Sequence, residues 1–104
     1  MITKEQLQAM SDFEVNKALA KLVCVNHITY TRGRGEMVCA DNVKVDYCNT
    51  PNDIMPLAFE YRLEIDWFAD GRCLVGAGDF MYQSTNPLRA IACCLILVLQ
   101  GQKA

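Results

Sequence analysis

Asn86-Pro87-Leu88-Arg89-Ala90-Ile91-Ala92-Cys93-Cys94-Leu95-Ile96-Leu97-Val98-Leu99 is the stretch on which the fold turns. Asn86 suits an N-cap and Pro87 the first helical position, where a missing N–H is tolerated. Leu88, Ile91, Leu95 and Val98 then fall on one face, while Ala92, Cys93, Cys94, Ile96, Leu97 and Leu99 leave almost no polar face. A helix apolar all round must be covered on several sides. In a chain of 104 residues, part of that cover is expected from another subunit, so the stretch predicts a homodimer or a bound partner along the last helix. The apolar run from Ala90 to Leu99 is far short of the ~20 residues that a membrane span needs.

Upstream, Ser11-Asp12-Phe13-Glu14 has the form of a capping box. The Ser11 hydroxyl can accept from the Glu14 N–H while the Glu14 carboxylate reaches back. Val15, Ala18, Leu19 and Leu22 follow at helical spacing, which predicts an amphipathic helix over 11–23. Thr3-Lys4-Glu5-Gln6 is a second, weaker box and predicts an extra N-terminal turn.

From His27 the period changes to two. Ile28, Tyr30 and Arg32 alternate with Thr29 and Thr31, residue types suited to strands. Arg32-Gly33-Arg34-Gly35 interrupts this, Glu36 to Ala40 resumes it, and Val43, Val45 and Tyr47 alternate in a third strand. Asn49-Thr50-Pro51-Asn52-Asp53 is dense in turn and cap residues. A short helix should follow, with Pro56 in its first turn and its end near Arg62. Leu63, Ile65 and Trp67 alternate with Glu64 and Asp66. Asp70-Gly71 makes a hairpin turn to Arg72–Val75, and Gly76 and Gly78 suggest a bulge before Phe80-Met81-Tyr82. The whole predicts one α+β domain over 1–104, with a mostly antiparallel sheet of about four or five strands. The first and last helices are expected on one face of that sheet, with a short middle helix.

Composition bounds the function. The chain is 52% hydrophobic and 21% charged, which is globular rather than disordered. A net charge of -2 makes the whole a poor counterion for nucleic acid or anionic lipid. The charge is uneven: residues 35–70 hold eight acidic and two basic groups, and the flanking segments are basic. That pattern reads as solvated faces, or as an acidic patch for a basic partner. No apolar signal core follows the charged N-terminus, so a cytoplasmic location is expected.

Chemistry has few handholds. Cys24, Cys39, Cys48, Cys73, Cys93 and Cys94 include no C-x-x-C pair, the spacing that zinc and redox sites use. They are expected to fill the core as small apolar groups, with neither metal nor cofactor. His27, the one histidine, lies three residues from Cys24, but a helix end and a strand start should point the two apart. Glu64 and Asp66 share a strand face open to solvent, which does not split their pKa values as acid–base catalysis requires. Arg32 and Arg34 on a glycine turn, with Tyr30 beside them, could grip a phosphate and stack on a base; two charges are a thin footprint. Arg89 stands at the positive end of the last helix's dipole, where a cation is unfavourable. A neighbouring acid, for instance from the 60–70 segment, is expected to offset it; the alternative is that Arg89 faces a ligand or partner.

Three blocks together resemble the NinX-like proteins of lambdoid phages and prophages. They are Met10-Ser11-Asp12-Phe13-Glu14-Val15-Asn16-Lys17, then Asp46-Tyr47-Cys48-Asn49-Thr50-Pro51-Asn52-Asp53-Ile54-Met55-Pro56-Leu57, then Asn86-Pro87-Leu88-Arg89-Ala90. Met55 departs from the family pattern, which often has an aromatic before the second proline. The resemblance implies a phage or prophage origin and expression in a bacterial host, and it implies no activity. Most of the shared residues are caps and turns, which leaves Asp46, Tyr47, Asn49 and Arg89 as the candidate binding residues. The expected function is a non-enzymatic accessory protein acting on an unidentified host or phage protein. The alternative is a nucleic-acid-associated factor using Tyr30, Arg32 and Arg34.

Overall fold

The computed structural model describes residues 1–23, 27–32, 35–40 and 43–103, with side chains left undescribed over 27–32, 35–37 and at residues 43, 102 and 103. Both N-terminal boxes close. Thr3 caps α1 (Lys4–Ala9), its hydroxyl accepting from the Gln6 N–H while the Gln6 side chain accepts from the Thr3 N–H. Ser11 and Glu14 do the same for α2 (Asp12–Val23) at 3.2 Å each way. The extra N-terminal turn is therefore a helix of its own, broken from α2 at Met10.

β1 (His27–Arg32), β2 (Gly35–Ala40) and β3 (Val43–Val45) form an antiparallel sheet in that order. Val38 pairs with Val45 and Ala40 with Val43, and Val38 and Ala40 are buried. The third strand stops short of Tyr47 because the Asp46 carbonyl accepts from the N–H groups of Asn49 and Thr50, at 3.2 and 2.9 Å, closing a turn.

α3 (Pro51–Glu60) begins earlier than expected. Pro51 takes the first-turn position, and Pro56 lies inside the helix. One proline that far along removes a single backbone bond and is tolerated while the burial of Ile54 and Ala58 holds the helix in place. The helix ends where Arg62 adopts φ 52° and the Leu63 N–H returns to the Ala58 carbonyl at 3.0 Å, a left-handed C-terminal closure.

The remaining strands make a second antiparallel sheet, β4 (Glu64–Trp67), β5 (Cys73–Ala77) and β6 (Phe80–Ser84), in that order. Gly76 sits in regular register opposite Glu64 and Met81 rather than in a bulge. Gly78, at φ 59°, supplies the left-handed residue of a tight turn that brings Ala77 opposite Phe80.

The α+β class, the antiparallel pairing and the middle helix agree with the sequence reading. The strands, however, divide into two sheets of three. The turn at Asp46 and α3 separate β3 from β4, which pairs with β5 instead. The helices also differ from the expected arrangement. α2 packs on β1 and β2, whereas α4 (Pro87–Lys103) packs on β5 and β6, and α2 and α4 pack on each other. α1 and α3 close over α4 as well.

This placement explains the apolar surface of α4 without a second copy. Ala90 to Ile96 are each at most 1% exposed within one chain. Every buried Ile or Leu there contributes about 2 kcal/mol. The reason for expecting a dimer along α4 is thereby removed. At its far end, Gln100 clamps the N-terminus through bonds to the Ile2 N–H and carbonyl. Gly101 leaves room for the Phe80 ring, whose Cζ would lie 2.5 Å from a Cβ at that position. No helix among the described residues is long and apolar enough to cross a membrane.

Candidate functional site

The polar side chains singled out from the sequence meet at the junction of α1, α2, the 46–50 turn and α4. Arg89 projects from the first turn of α4. One of its amino nitrogens donates to Asp12 Oδ1 at 2.6 Å, and the other to the carbonyls of Leu7 and Met10. Its partner acid is thus Asp12, at the start of α2, and not a residue of the 60–70 segment. Only 14% of the Arg89 side chain is exposed. Burial works against its charge, but the hydrogen bond to Asp12 and the Asp12 charge act the other way, and its pKa is raised.

Asp12 is also bound from its other side. Asn49 Nδ2 donates to Asp12 Oδ2 at 3.1 Å and to both oxygens of Asp46 at 3.2 Å. Asn16, one turn along α2, donates to Asp46 Oδ1 at 2.8 Å and accepts from the Cys48 N–H at 3.1 Å. Asn49 therefore places its N–H groups between two carboxylates that would otherwise repel, and Asn16 ties Asp46 to the Cys48 backbone. Asn86 completes the junction. Its Oδ1 accepts from the N–H groups of Leu88 and Arg89, and its Nδ2 donates to the Cys48 carbonyl at 2.9 Å. Asp53 accepts from the Asp46 N–H at 2.9 Å, which ties α3 to the same turn.

Buried thiols line the apolar side. Burial pushes the Cys48 thiol up, with the Asp12 charge acting in the same direction. Burial likewise pushes Cys93 and Cys94 up to about 11. Tyr82, beside Cys93 and Arg89, is pushed up to about 12, mainly by burial. Thiols held protonated at neutral pH are poor nucleophiles and poor metal ligands. Cys48, Cys73, Cys93 and Cys94 are buried and unpaired by disulfides, and Cys39 is half-buried. No cluster of potential metal ligands occurs among the described residues.

The structure thus unites Asp46, Asn49 and Arg89, whereas the Tyr47 side chain, 3% exposed, turns into the core. Tyr30 and Arg32 lie on β1; their side chains, like Arg34 and the surroundings of Cys24, fall outside the described residues. Sequence reasoning missed Asp12 and Asn16 as network members. Asn16 left one signal: it is a polar residue beside the apolar stripe of Val15 and Leu19 and is itself buried. Every side chain of the junction comes from one of the three sequence blocks, 10–17, 46–57 and 86–90. No family model, curated protein or solved structure compared with the chain matches it.

Proposed function

We propose that the chain is a small phage or prophage accessory protein of the host cytoplasm that acts by contact with another protein and catalyses no reaction. The junction supports this by what it does with its polar groups. Arg89, Asp12, Asp46, Asn16 and Asn86 are bonded to one another and to backbone, so the three blocks that carry the family resemblance act as a fastening between elements.

The observation that carries the reading is the distribution of large apolar side chains. Among the described residues Phe59 is 74% exposed and Trp67 68%. Phe68 and Met81 are 42% and 49% exposed as well. Exposed aromatics are over-represented where proteins meet. The test is affinity capture from extracts of phage-infected host cells, followed by reconstitution with the purified captured protein. A saturable complex of fixed stoichiometry is expected. If the chain retains nothing beyond what an unrelated acidic domain of its size retains, the reading fails.

A further inference from the structure

β4 ends the second sheet, paired with β5 on one side only. The direction of its backbone groups follows from the ladder. The Phe68 N–H donates to the Arg72 carbonyl at 2.9 Å, and that pair continues the register of Asp66 with Leu74 and Glu64 with Gly76. Hydrogen-bonded and non-bonded pairs alternate along an antiparallel ladder. Glu64, Asp66 and Phe68 therefore direct their N–H and C=O groups at β5, while Ile65 and Trp67 direct theirs outward. Among the described residues, no hydrogen bond reaches those outward groups.

The side chains on this edge are sorted by face. Ile65 and Trp67 share the face of Val75 and Cys73, and Glu64 and Asp66 share the opposite one. Cys73 is fully buried beneath α4 while Trp67 is 68% exposed, so the cover of the helix stops between them. Both carboxylates are exposed. Between residues 60 and 72 the acids are Glu60, Glu64, Asp66 and Asp70 against Arg62 and Arg72, and Arg72 is paired with Asp70 at 2.6 Å.

Resting on the protein-contact reading, we infer that the open edge of β4 accepts an extended peptide strand whose side chains alternate basic and apolar. Directly opposed residues of paired strands lie on the same face. Lys or Arg of the added strand then meets Glu64 and Asp66, and its apolar residues cover Ile65 and Trp67, while its backbone bonds the outward N–H and C=O groups. A second copy of this chain does not fit. The pleat restricts antiparallel self-pairing of β4 to registers that keep like faces together. Those registers set Glu64 and Asp66 against the same acids of the copy, a like-charge arrangement that disfavours pairing.

Trp67 is the only tryptophan, so its fluorescence reports the edge directly. The probe is a synthetic peptide alternating lysine and valine, titrated into the full chain. A saturable blue shift is expected as the indole leaves water. The shift should vanish with peptides N-methylated at every second residue along the edge that bonds β4; versions methylated on each edge are both tested. The Glu64→Lys/Asp66→Lys double variant, whose two sites are solvent-exposed, should bind the lysine peptide at least about tenfold more weakly. It should gain affinity for the glutamate–valine analogue. Absence of a shift, or a shift indifferent to both N-methylation and charge reversal, overturns the inference. The double variant also separates the two claims. If it retains the captured host protein as well as the wild type does, the edge is wrong and protein contact stands; if neither chain retains one, protein contact itself fails.

Discussion

Replacing Arg89 with alanine removes three hydrogen bonds at once: to Asp12 Oδ1, the Leu7 carbonyl and the Met10 carbonyl. Each charge-assisted bond is worth roughly 1.5–3 kcal/mol when one partner is deleted and the other stays buried. Two circumstances reduce the sum. The Asp12 side chain is 44% exposed, so water replaces much of what it loses. The Leu7 carbonyl also keeps the Met10 N–H as a second donor, at 3.3 Å. An overall loss of about 3 kcal/mol remains, a large share of the stability of a domain this size. Arg89→Lys should recover only part of it, because one ammonium cannot span acceptors that a guanidinium fork reaches from two nitrogens. Equilibrium urea unfolding followed by far-ultraviolet circular dichroism measures the loss. A double-mutant cycle with Asp12→Ala should be non-additive, with the double variant less damaged than the two singles summed. A loss below about 1 kcal/mol for Arg89→Ala, or strict additivity in the cycle, would refute the claim that this guanidinium fastens α1 and α2 to α4.

Four further outcomes follow from the junction and its surroundings. Asn16→Ala leaves the buried Cys48 N–H without its acceptor and should cost about 2 kcal/mol in the same assay. Asn16→Asp sets a second carboxylate against Asp46, which raises the pKa of the pair in the folded state. Its stability deficit should therefore grow as pH rises from about 4 to 7 and shrink on acidification; a deficit independent of pH would contradict the proximity. The buried thiols set the alkaline behaviour. Folded Cys93 and Cys94 hold their protons up to about 11, against an ordinary thiol value of 9.0, so above that ordinary value the unfolded chain has lost protons that the folded chain keeps. Stability should fall as pH climbs from about 9 to 11, measurable by urea titrations across that range. In a Cys24→Ser/Cys39→Ser background, the four remaining thiols should react with a disulfide reagent at pH 8 only in denaturant.

Local signals in the sequence are strong wherever a few neighbouring residues complete the interaction. Thr3 with Gln6 and Ser11 with Glu14 form their caps because both partners lie within one helical turn. The strand alternations of Ile28–Arg32 and Leu63–Trp67 are equally local. The start of α3 is ambiguous in the sequence because Pro51 and Pro56 are both acceptable first-turn residues. Only the burial of Ile54 and Ala58 decides between them.

The sequence by itself determined the α+β class, the caps, the strand pairs and the apolar character of α4. The tertiary structure alone decided what covers that helix. Periodicity shows that a surface must be buried but not which surface buries it, and here α1, α2, α3 and the second sheet do so within one chain. It also decided the roles of Asp46, Asn49 and Arg89. Their partners Asp12 and Asn16 are 30 or more residues away from them in the chain, and no local pattern encodes a contact at that distance. The open edge of β4 has the same origin, since an alternation of acid and apolar residues predicts a strand but not whether it lies at the end of a sheet.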